Sequence, residues 1–332
     1  MNEPRQGRCA CDGRHADGTG TVSVEAPAWD RRQQAAPAKR KLADREDLLA
    51  RLFLLPTAVY IIGLVAFPFF LAIIFSFSDV TTGNPSIDFV GLRQWRTILS
   101  SSVFWTSFWN TIIFTGISMV LIVVIANILA TVLVKDFKGK WFVRFCVLLP
   151  WTTPVALAAI SWLWLLNSIF SPIDWVLRWF GLLEGNLFYL GRPVLAMGSI
   201  IAVHVWRIVP LATVIVMAGL MSIPSDIDDA VEVDGAGFWR KLWEINIPLT
   251  LPITAVAVLF GAILTFADMT VVFILTRGGP TQSTQVLSSW AFFKGIEGGD
   301  LAQGAAVALF LFPLLLAAAI AILRAVRRRE VM

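Results

Sequence analysis

Six apolar stretches, separated by polar segments, dominate the chain from residue 52 onward. They are Leu52–Phe75, Thr111–Val134, Phe145–Asn167, Val194–Met221, Leu249–Leu275 and Leu301–Leu323. Each is long enough to cross a hydrocarbon core, which takes about 20 apolar residues in a helix. Only two contain a charged side chain, namely one arginine in the fourth and one aspartate in the fifth. The pattern predicts an all-α polytopic membrane protein with six transmembrane helices.

The overall composition agrees with this prediction. Hydrophobic residues make up 57% of the 332 residues and charged residues 15%, whereas a soluble domain has about 25% charged residues. Several apolar stretches contain prolines, which packed membrane helices tolerate better than soluble ones. They are Pro56, Pro68, Pro150, Pro154, Pro210 and Pro313.

The distribution of basic residues predicts the orientation in the membrane. With the N-terminus inside, fifteen Lys and Arg residues lie near the membrane on the inner side and six on the outer side. The inner ones form the clusters Lys39–Arg51, Lys135–Arg144, Arg240–Lys241 and Arg324–Arg329. Because basic residues favour the cytoplasmic side, we expect both termini to be cytoplasmic. The same excess accounts for the net charge of +4, so no nucleic-acid partner is expected.

The first 45 residues show no hydrophobic period and predict a disordered cytoplasmic tail, followed by a transmembrane domain over residues 46–332. Cys9, Cys11 and His15 have the spacing C-x-C-x3-H but no fourth ligand. We therefore expect no metal site there.

The polar segment Pro224–Pro252 has the pattern of two short helices joined at a glycine. Ser225 or Asp226 can cap the first helix, and Asp234-Gly235 is a turn signal because glycine adopts positive φ readily. In the second helix, Phe238, Leu242 and Ile245 lie along one face. In a soluble protein this would be a surface hairpin, but here it lies between two spans on the predicted inner side.

This segment resembles the cytoplasmic EAA loop of ABC-importer permeases. Ala230, Asp234, Gly235, Ala236, Ile245 and Pro248 match the motif, while Asp229 and Val231 replace its usual Glu and Ala. The resemblance implies a type I ABC importer permease fold, in which this loop, residues 224–252, docks into the ATP-hydrolysing subunit. The residues it assigns to ATPase coupling are Asp229, Ala230, Glu232, Asp234, Gly235, Ala236, Phe238, Leu242, Ile245 and Pro248.

A second resemblance lies at the end of the fifth stretch. This part of the chain is similar to the F-x-D…L-T-x-G-G-P…T signature of maltose-type permeases. The matching residues are Phe266, Asp268, Leu275, Thr276, Gly278, Gly279, Pro280 and Thr284. The resemblance implies that Gly278, Gly279 and Pro280 face an extracytoplasmic solute-binding protein. The segment Phe89–Leu99, after the first span, also resembles the F-x-G-L-x-N segment of sugar-type permeases, with Gln94 in place of Asn.

Polar residues inside the spans are the candidates for the transport path. A charge within a membrane helix is costly and commonly faces a cavity or a partner. Asp268 therefore contacts substrate or forms a structural ion pair with Arg207, and the sequence leaves both open. The candidate path residues are Trp162, Asn167, Trp206, Arg207 and Asp268, although the default roles of the tryptophans are packing or lipid contact.

The outer segment Ser168–Pro193 contains Trp175, Trp179 and Phe180. Their spacing predicts an amphipathic helix that lies at the membrane interface.

No G-x-x-x-x-G-K-(S/T) motif occurs, so we expect this chain to bind neither ATP nor another cofactor, and ATP and Mg²⁺ to bind a partner. The resemblance implies a bacterial or archaeal cell-membrane importer with a second, different permease chain, an ATPase dimer and a solute-binding protein. A di- or oligosaccharide is the expected cargo, since aromatic and polar side chains suit sugars. The alternatives are a glycerol phosphate permease and an autonomous ion-coupled carrier with a relay of His204, Arg207 and Asp268.

Overall fold

The computed structural model describes residues 46–330, except for the side chains of 46–49, Asp228, Glu232 and 325–330. The predicted tail and the Cys9, Cys11 and His15 group lie outside these residues. The chain separates into two compact units between Ile62 and Gly63. Among the described residues, helices are joined by loops, and the only strand-like pairing is a single bridge between Ser78 and Phe89.

The first unit contains helix α1, Glu46–Ile61. Its side chains from Leu52 to Ile61 are exposed, as expected for a helix whose apolar surface faces lipid. The second unit contains α2 (Phe67–Ser76), α3 (Arg93–Leu99), α4 (Ser102–Val134), α5 (Lys140–Thr152), α6 (Val155–Leu165), α7 (Pro172–Trp179), α8 (Pro193–Leu220), α9 (Ser225–Val233), α10 (Phe238–Arg240), α11 (Ile247–Leu249), α12 (Leu251–Ala267), α13 (Thr270–Thr276), α14 (Leu287–Phe292) and α15 (Leu301–Glu330). Short π-helical segments occur at Ile62–Ala66, Lys241–Asn246 and Phe293–Glu297.

Four helical segments are long and apolar enough to span a membrane. They are Ala50–Ser76, Ser102–Val134, Pro193–Leu220 and Leu301–Arg324. Two helix pairs pass the same test together but are sharply bent, by 98° between α5 and α6 and by 80° between Phe238–Leu249 and α12. The described residues thus contain four such helices, or six when each bent pair is counted as one span, and the all-α membrane fold is confirmed. The second pair overlaps the predicted fifth span through α12, and its first half belongs to the predicted hairpin.

Three predicted spans differ in detail from the observed helices. The second begins at Ser102, nine residues before the predicted Thr111, because the residues between them continue the helix beyond the apolar stretch. The third is broken at Thr153 and Pro154. The fifth is broken at Asp268 and Met269, so that α12 and α13 replace one continuous helix.

The main core lies where α4 packs along α8 and α12 packs against both. Its buried side chains include Phe114 and Ile122 of α4, Ile200 and Ile208 of α8, and Ala262 of α12. Small residues allow close approach of membrane helices, and here Gly261 of α12 faces Met119 of α4.

A second core lies towards the predicted outer side, between α3, the start of α4, α14 and α15. It contains Ile98, Phe104 and Trp290, which are buried. Beside it, Gly295 and Gly304 bring two backbone segments together, since a Cβ on Gly304 would lie 2.4 Å from the Cα of Gly295. This packing fixes the loops that surround the outer ends of the spans.

Candidate functional site

The hairpin between α8 and α12 is closed by a glycine in the left-handed conformation. Gly235 has φ 67°, and the amide of Ala236 donates to the carbonyl of Val231 at 3.2 Å. This is the Schellman arrangement, in which glycine after the last helical residues lets the chain reverse. The predicted helix–glycine–helix is therefore present, with its turn at the predicted residue.

Buried side chains anchor the second half of the hairpin to the rest of the chain. Leu242 is 1% exposed, and Phe238 and Ile245 are half-buried. Asn246 is buried and donates from Nδ2 to the hydroxyl of Thr131 on α4 at 3.3 Å. These side chains attach the hairpin to the C-terminal end of α4.

The outer surface of the hairpin is accessible. Asp229, Ala230, Asp234 and Gly235 are exposed, Ala236 is half-buried and Pro248 is exposed. Trp239 and Trp243, which the sequence analysis did not single out, are 61% and 53% exposed. The structure thus separates the predicted coupling residues into an exposed set and an anchoring set, and Glu232 is described only by its place in α9.

Three of the polar residues inside the spans come together around one carboxylate. Oδ2 of Asp268 lies 2.6 Å from Nη2 of Arg207 and 3.0 Å from Nδ1 of His204. Because a carboxylate only accepts hydrogen bonds, Nδ1 of His204 carries the proton of its bond. On the other side of the ring, Nε2 lies 2.8 Å from the hydroxyl of Thr265. His204 is fully buried and Asp268 is 7% exposed.

Asp268 also organises the break in the fifth span. Its Oδ1 accepts from the amide of Val271 at 3.1 Å, at the start of α13, and its carbonyl accepts from the hydroxyl of Ser288 at 3.1 Å. Both carboxylate oxygens are thus engaged by groups of the same chain. Of the two roles left open for Asp268, the structure contains the ion pair with Arg207.

The remaining path candidates are not among the side chains that hydrogen-bond within this cluster. Trp162 and Trp206 make an edge-to-face contact with ring centres 5.5 Å apart. Trp206 also lines an apolar groove of 540 Å³ between α4, α5 and α8. Asn167 is exposed, and its Oδ1 accepts from the amides of Ile169 and Phe170, which forms the turn after α6.

The outer Gly-Gly-Pro turn has a buried base and an exposed tip. Gly278 is buried with φ 83°, and a Cβ there would lie 2.3 Å from Cδ of Gln285. Gly279 and Pro280 are half-buried, whereas Thr281 and Gln282 are exposed. The residues predicted to meet a solute-binding protein therefore shape the turn, and the next two residues form its tip.

Several residues that form hydrogen bonds in these sites could not be identified from the sequence. Thr265, Ser288 and Asn246 are single hydroxyl or amide side chains in apolar surroundings, and only the packing of the helices reveals their contacts. Asn110 is another, since its Nδ2 donates to the carbonyls of Ser283 and Gln285 and so ties the outer turn to α4.

Residues 128–331 match the family described as binding-protein-dependent transport system inner membrane component. The trehalose/maltose transport system permease protein MalF of Thermococcus litoralis is 31% identical over 290 residues, 87% of this chain and 97% of that protein. The trehalose transport system permease protein SugA of Mycobacterium tuberculosis is 28% identical over 274 residues, 82% of this chain and 86% of that protein. A solved bacterial alginate ABC transporter in complex with its alginate pentasaccharide-bound periplasmic protein has the same fold. Its matching chain has a TM-score of 0.73 at 20% identity and covers 85% of this chain and 95% of that one.

Proposed function

Since the chain belongs to the family of binding-protein-dependent transport system inner membrane components, we propose that it forms half of the translocation path of an ATP-driven sugar importer. The cargo is a di- or oligosaccharide, as the names of the two sugar permeases that resemble it indicate for those proteins. The chain itself supplies the path, and ATP with Mg²⁺ binds to a separate ATPase dimer. A second, different permease chain supplies the other half.

The observation that carries this proposal is the hairpin at Gly235. Its inner side is anchored through Leu242 and Asn246, while α9 and the turn present Asp229, Ala230 and Asp234 outward. An element that is rigidly attached on one side and exposed on the other suits the transmission of force from a docked ATPase subunit.

The mechanism is alternating access. Closure of the ATPase dimer moves the hairpin, and the hairpin moves the inner ends of α4 and α8 to which it is attached. The central path then opens to the outside, where the solute-binding protein delivers its sugar at the turn formed by Gly278, Gly279 and Pro280. In this orientation both termini are cytoplasmic, as the basic residues indicate.

The electrostatics favour an uncharged cargo over a glycerol phosphate. Arg207 is the only Lys or Arg within the predicted spans, and its guanidinium is paired with Asp268. A phosphate would have to compete with that carboxylate for the same charge. The edge-to-face pair of Trp162 and Trp206 offers apolar ring surface of the kind that packs against the C–H face of a sugar.

A pull-down of the detergent-solubilised chain tests the assembly. The wild-type chain is expected to retain an ATPase subunit and a second permease, and Gly235→Asp to insert normally but lose the ATPase and sugar uptake. Gly237→Ala is the matched control, because Gly237 has ordinary backbone geometry and free space around it. Normal uptake by Gly235→Asp would refute the coupling role. Transport by the chain alone, in liposomes without ATP, would instead support the ion-coupled carrier.

A further inference from the structure

The loop between α6 and α8 is a rigid structure with an apolar outer surface. Asp174 on α7 is 1% exposed, and its carboxylate accepts from the amide of Leu187 at 2.9 Å and from the hydroxyl of Tyr189 at 2.7 Å. The hydroxyl of Ser171 caps α7 and donates to the carbonyl of Leu165 at 2.7 Å. These bonds tie the beginning and the end of the loop to α7.

The same loop exposes several large apolar side chains. The exposed fraction is 78% for Phe170, 64% for Trp175, 72% for Trp179 and 64% for Phe180. Two neighbours in the sequence, Ile169 and Leu182, are also exposed. We call these six residues the aromatic face. A large exposed apolar patch commonly marks an interaction surface. Because buried hydrogen bonds hold this loop in place, we expect the aromatic face to contact another molecule.

The position of the loop identifies the partner. The chain leaves a membrane helix at Leu165 and enters the next at Pro193, so both ends of the loop lie at the same membrane surface. Ile173, which is on α7, packs towards the main core. The neighbouring Trp175 and Trp179 therefore point away from the protein at the depth of the lipid headgroups, where tryptophan is preferred.

Charge supports the same assignment. Arg192, at the end of the loop, is exposed and its side chain makes no hydrogen bond or ion pair with any residue that the structure describes. An exposed cation at the end of a loop that returns to the membrane suits a phospholipid phosphate. The acid Glu184, in the turn that follows α7, is also exposed. We propose that the aromatic face is a lipid-binding surface that rests on the outer headgroup layer, with Arg192 at a phospholipid phosphate.

Fluorescence quenching in lipid nanodiscs tests this proposal. The full chain, with its three cysteines replaced by alanine, carries a bimane label at Trp179→Cys or, as the matched control, at Glu184→Cys. In phosphatidylethanolamine and phosphatidylglycerol nanodiscs we expect iodide to quench the Trp179 site at least about threefold less than the Glu184 site. A nitroxide near the lipid headgroup should quench the Trp179 site more strongly.

Phe170→Cys gives a second, independent site on the aromatic face and should behave like Trp179→Cys. Equal iodide quenching at Trp179, Phe170 and Glu184 would overturn the proposal. It would also be overturned if the two aromatic sites were open to iodide in lipid and shielded only after the solute-binding protein is added, because the surface would then be a protein interface. Neither result bears on the importer function, since the proposal does not rest on it.

Discussion

Arg207 and Asp268 stand 61 positions apart in the sequence, and Nη2 of the first lies 2.6 Å from Oδ2 of the second. The contact joins α8 to the point where α12 gives way to α13. It therefore places a charged pair at the junction of two spans, in surroundings where an unpaired charge is costly.

Removal of both partners of this pair should destabilise the chain by less than the sum of the two single removals. We expect Asp268→Asn to lower the free energy of unfolding by about 3–5 kcal/mol, because it leaves the half-buried Arg207 without its counter-ion. The double variant Arg207→Gln/Asp268→Asn should cost about 1–3 kcal/mol less than the sum of the single variants. Unfolding in mixed micelles measures all three, and simple additivity would show that the pair makes no specific contribution.

The turn at Gly235 should tolerate side chains according to their ability to adopt positive φ. A Cβ at Gly235 would meet nothing within 4 Å, so the penalty of Gly235→Ala is conformational and amounts to about 1–2 kcal/mol. Gly235→Asn should be milder, since asparagine adopts the left-handed region more readily. Reconstituted uptake with its partners should fall in the order wild type, Asn, Ala, with Gly237→Ala close to wild type. Equal uptake by all four would contradict a role for the turn geometry.

Tyr189 should ionise only in strongly alkaline solution. Burial, and then the hydrogen bond to Asp174, raise its pKa to about 12. Since the folded pKa lies above the usual value of 10.0, its contribution to stability is complete below pH 10.0 and is lost as the pH rises through about 12. The chain has two tyrosines, Tyr60 and Tyr189, so Tyr60→Phe isolates the signal.

Absorbance at 295 nm follows this titration. Asp174→Asn in the same background should lower the midpoint, because the carboxylate no longer opposes the tyrosinate, but not fully to 10.0, because burial remains. A midpoint near 10.0 in the parent variant would show that the loop is open in solution.

The contact between Gly295 and Gly304 should leave no room even for the methyl side chain of alanine. In Gly304→Ala the new Cβ would lie 2.4 Å from a backbone atom, which cannot move aside as a side chain can. We expect a loss of about 1–3 kcal/mol in the free energy of unfolding. Gly116→Ala on α4 is the control, because a Cβ there meets nothing within 4 Å and alanine favours helix. Similar stability of the two variants would contradict the close approach.

The sequence predicted much of the helical architecture because apolar length and turn chemistry are local properties. The last span begins at Leu301, as predicted, and the hairpin turns at Gly235. Both signals depend on residues that are adjacent in the chain, and neither requires knowledge of which helix packs against which.

The bend in the third span could not be predicted in the same way. Pro56, Pro210 and Pro313 lie inside continuous helices, whereas the helix ends before Pro154. At this end, the hydroxyls of Thr152 and Thr153 both donate to the carbonyl of Leu149, at 3.0 and 2.9 Å. A proline breaks a membrane helix where the freed backbone groups find other partners, and those partners depend on the fold around them.

The sequence could not decide whether Arg207 and Asp268 form an ion pair, for a related reason. Whether Arg207 meets Asp268 depends on the register of α8 against α12, and Gly219 of α8, which faces Ile253 of α12, helps to set the distance between these helices. The additional contact of Asp268 with His204 needs the same register. Such long-range geometry leaves no periodic pattern in either helix.

The 98° bend between α5 and α6 gives the third span two independent attachments. At 1.5 Å per residue, neither half reaches across a hydrocarbon layer of about 30 Å, so the bend itself must lie at membrane depth. The first half, α5, packs on α8, and the second half, α6, packs on α13. Rotation about the backbone at Thr153 can therefore move one half while the other stays in place. The third span is thus two helices joined by a hinge and not one rigid helix.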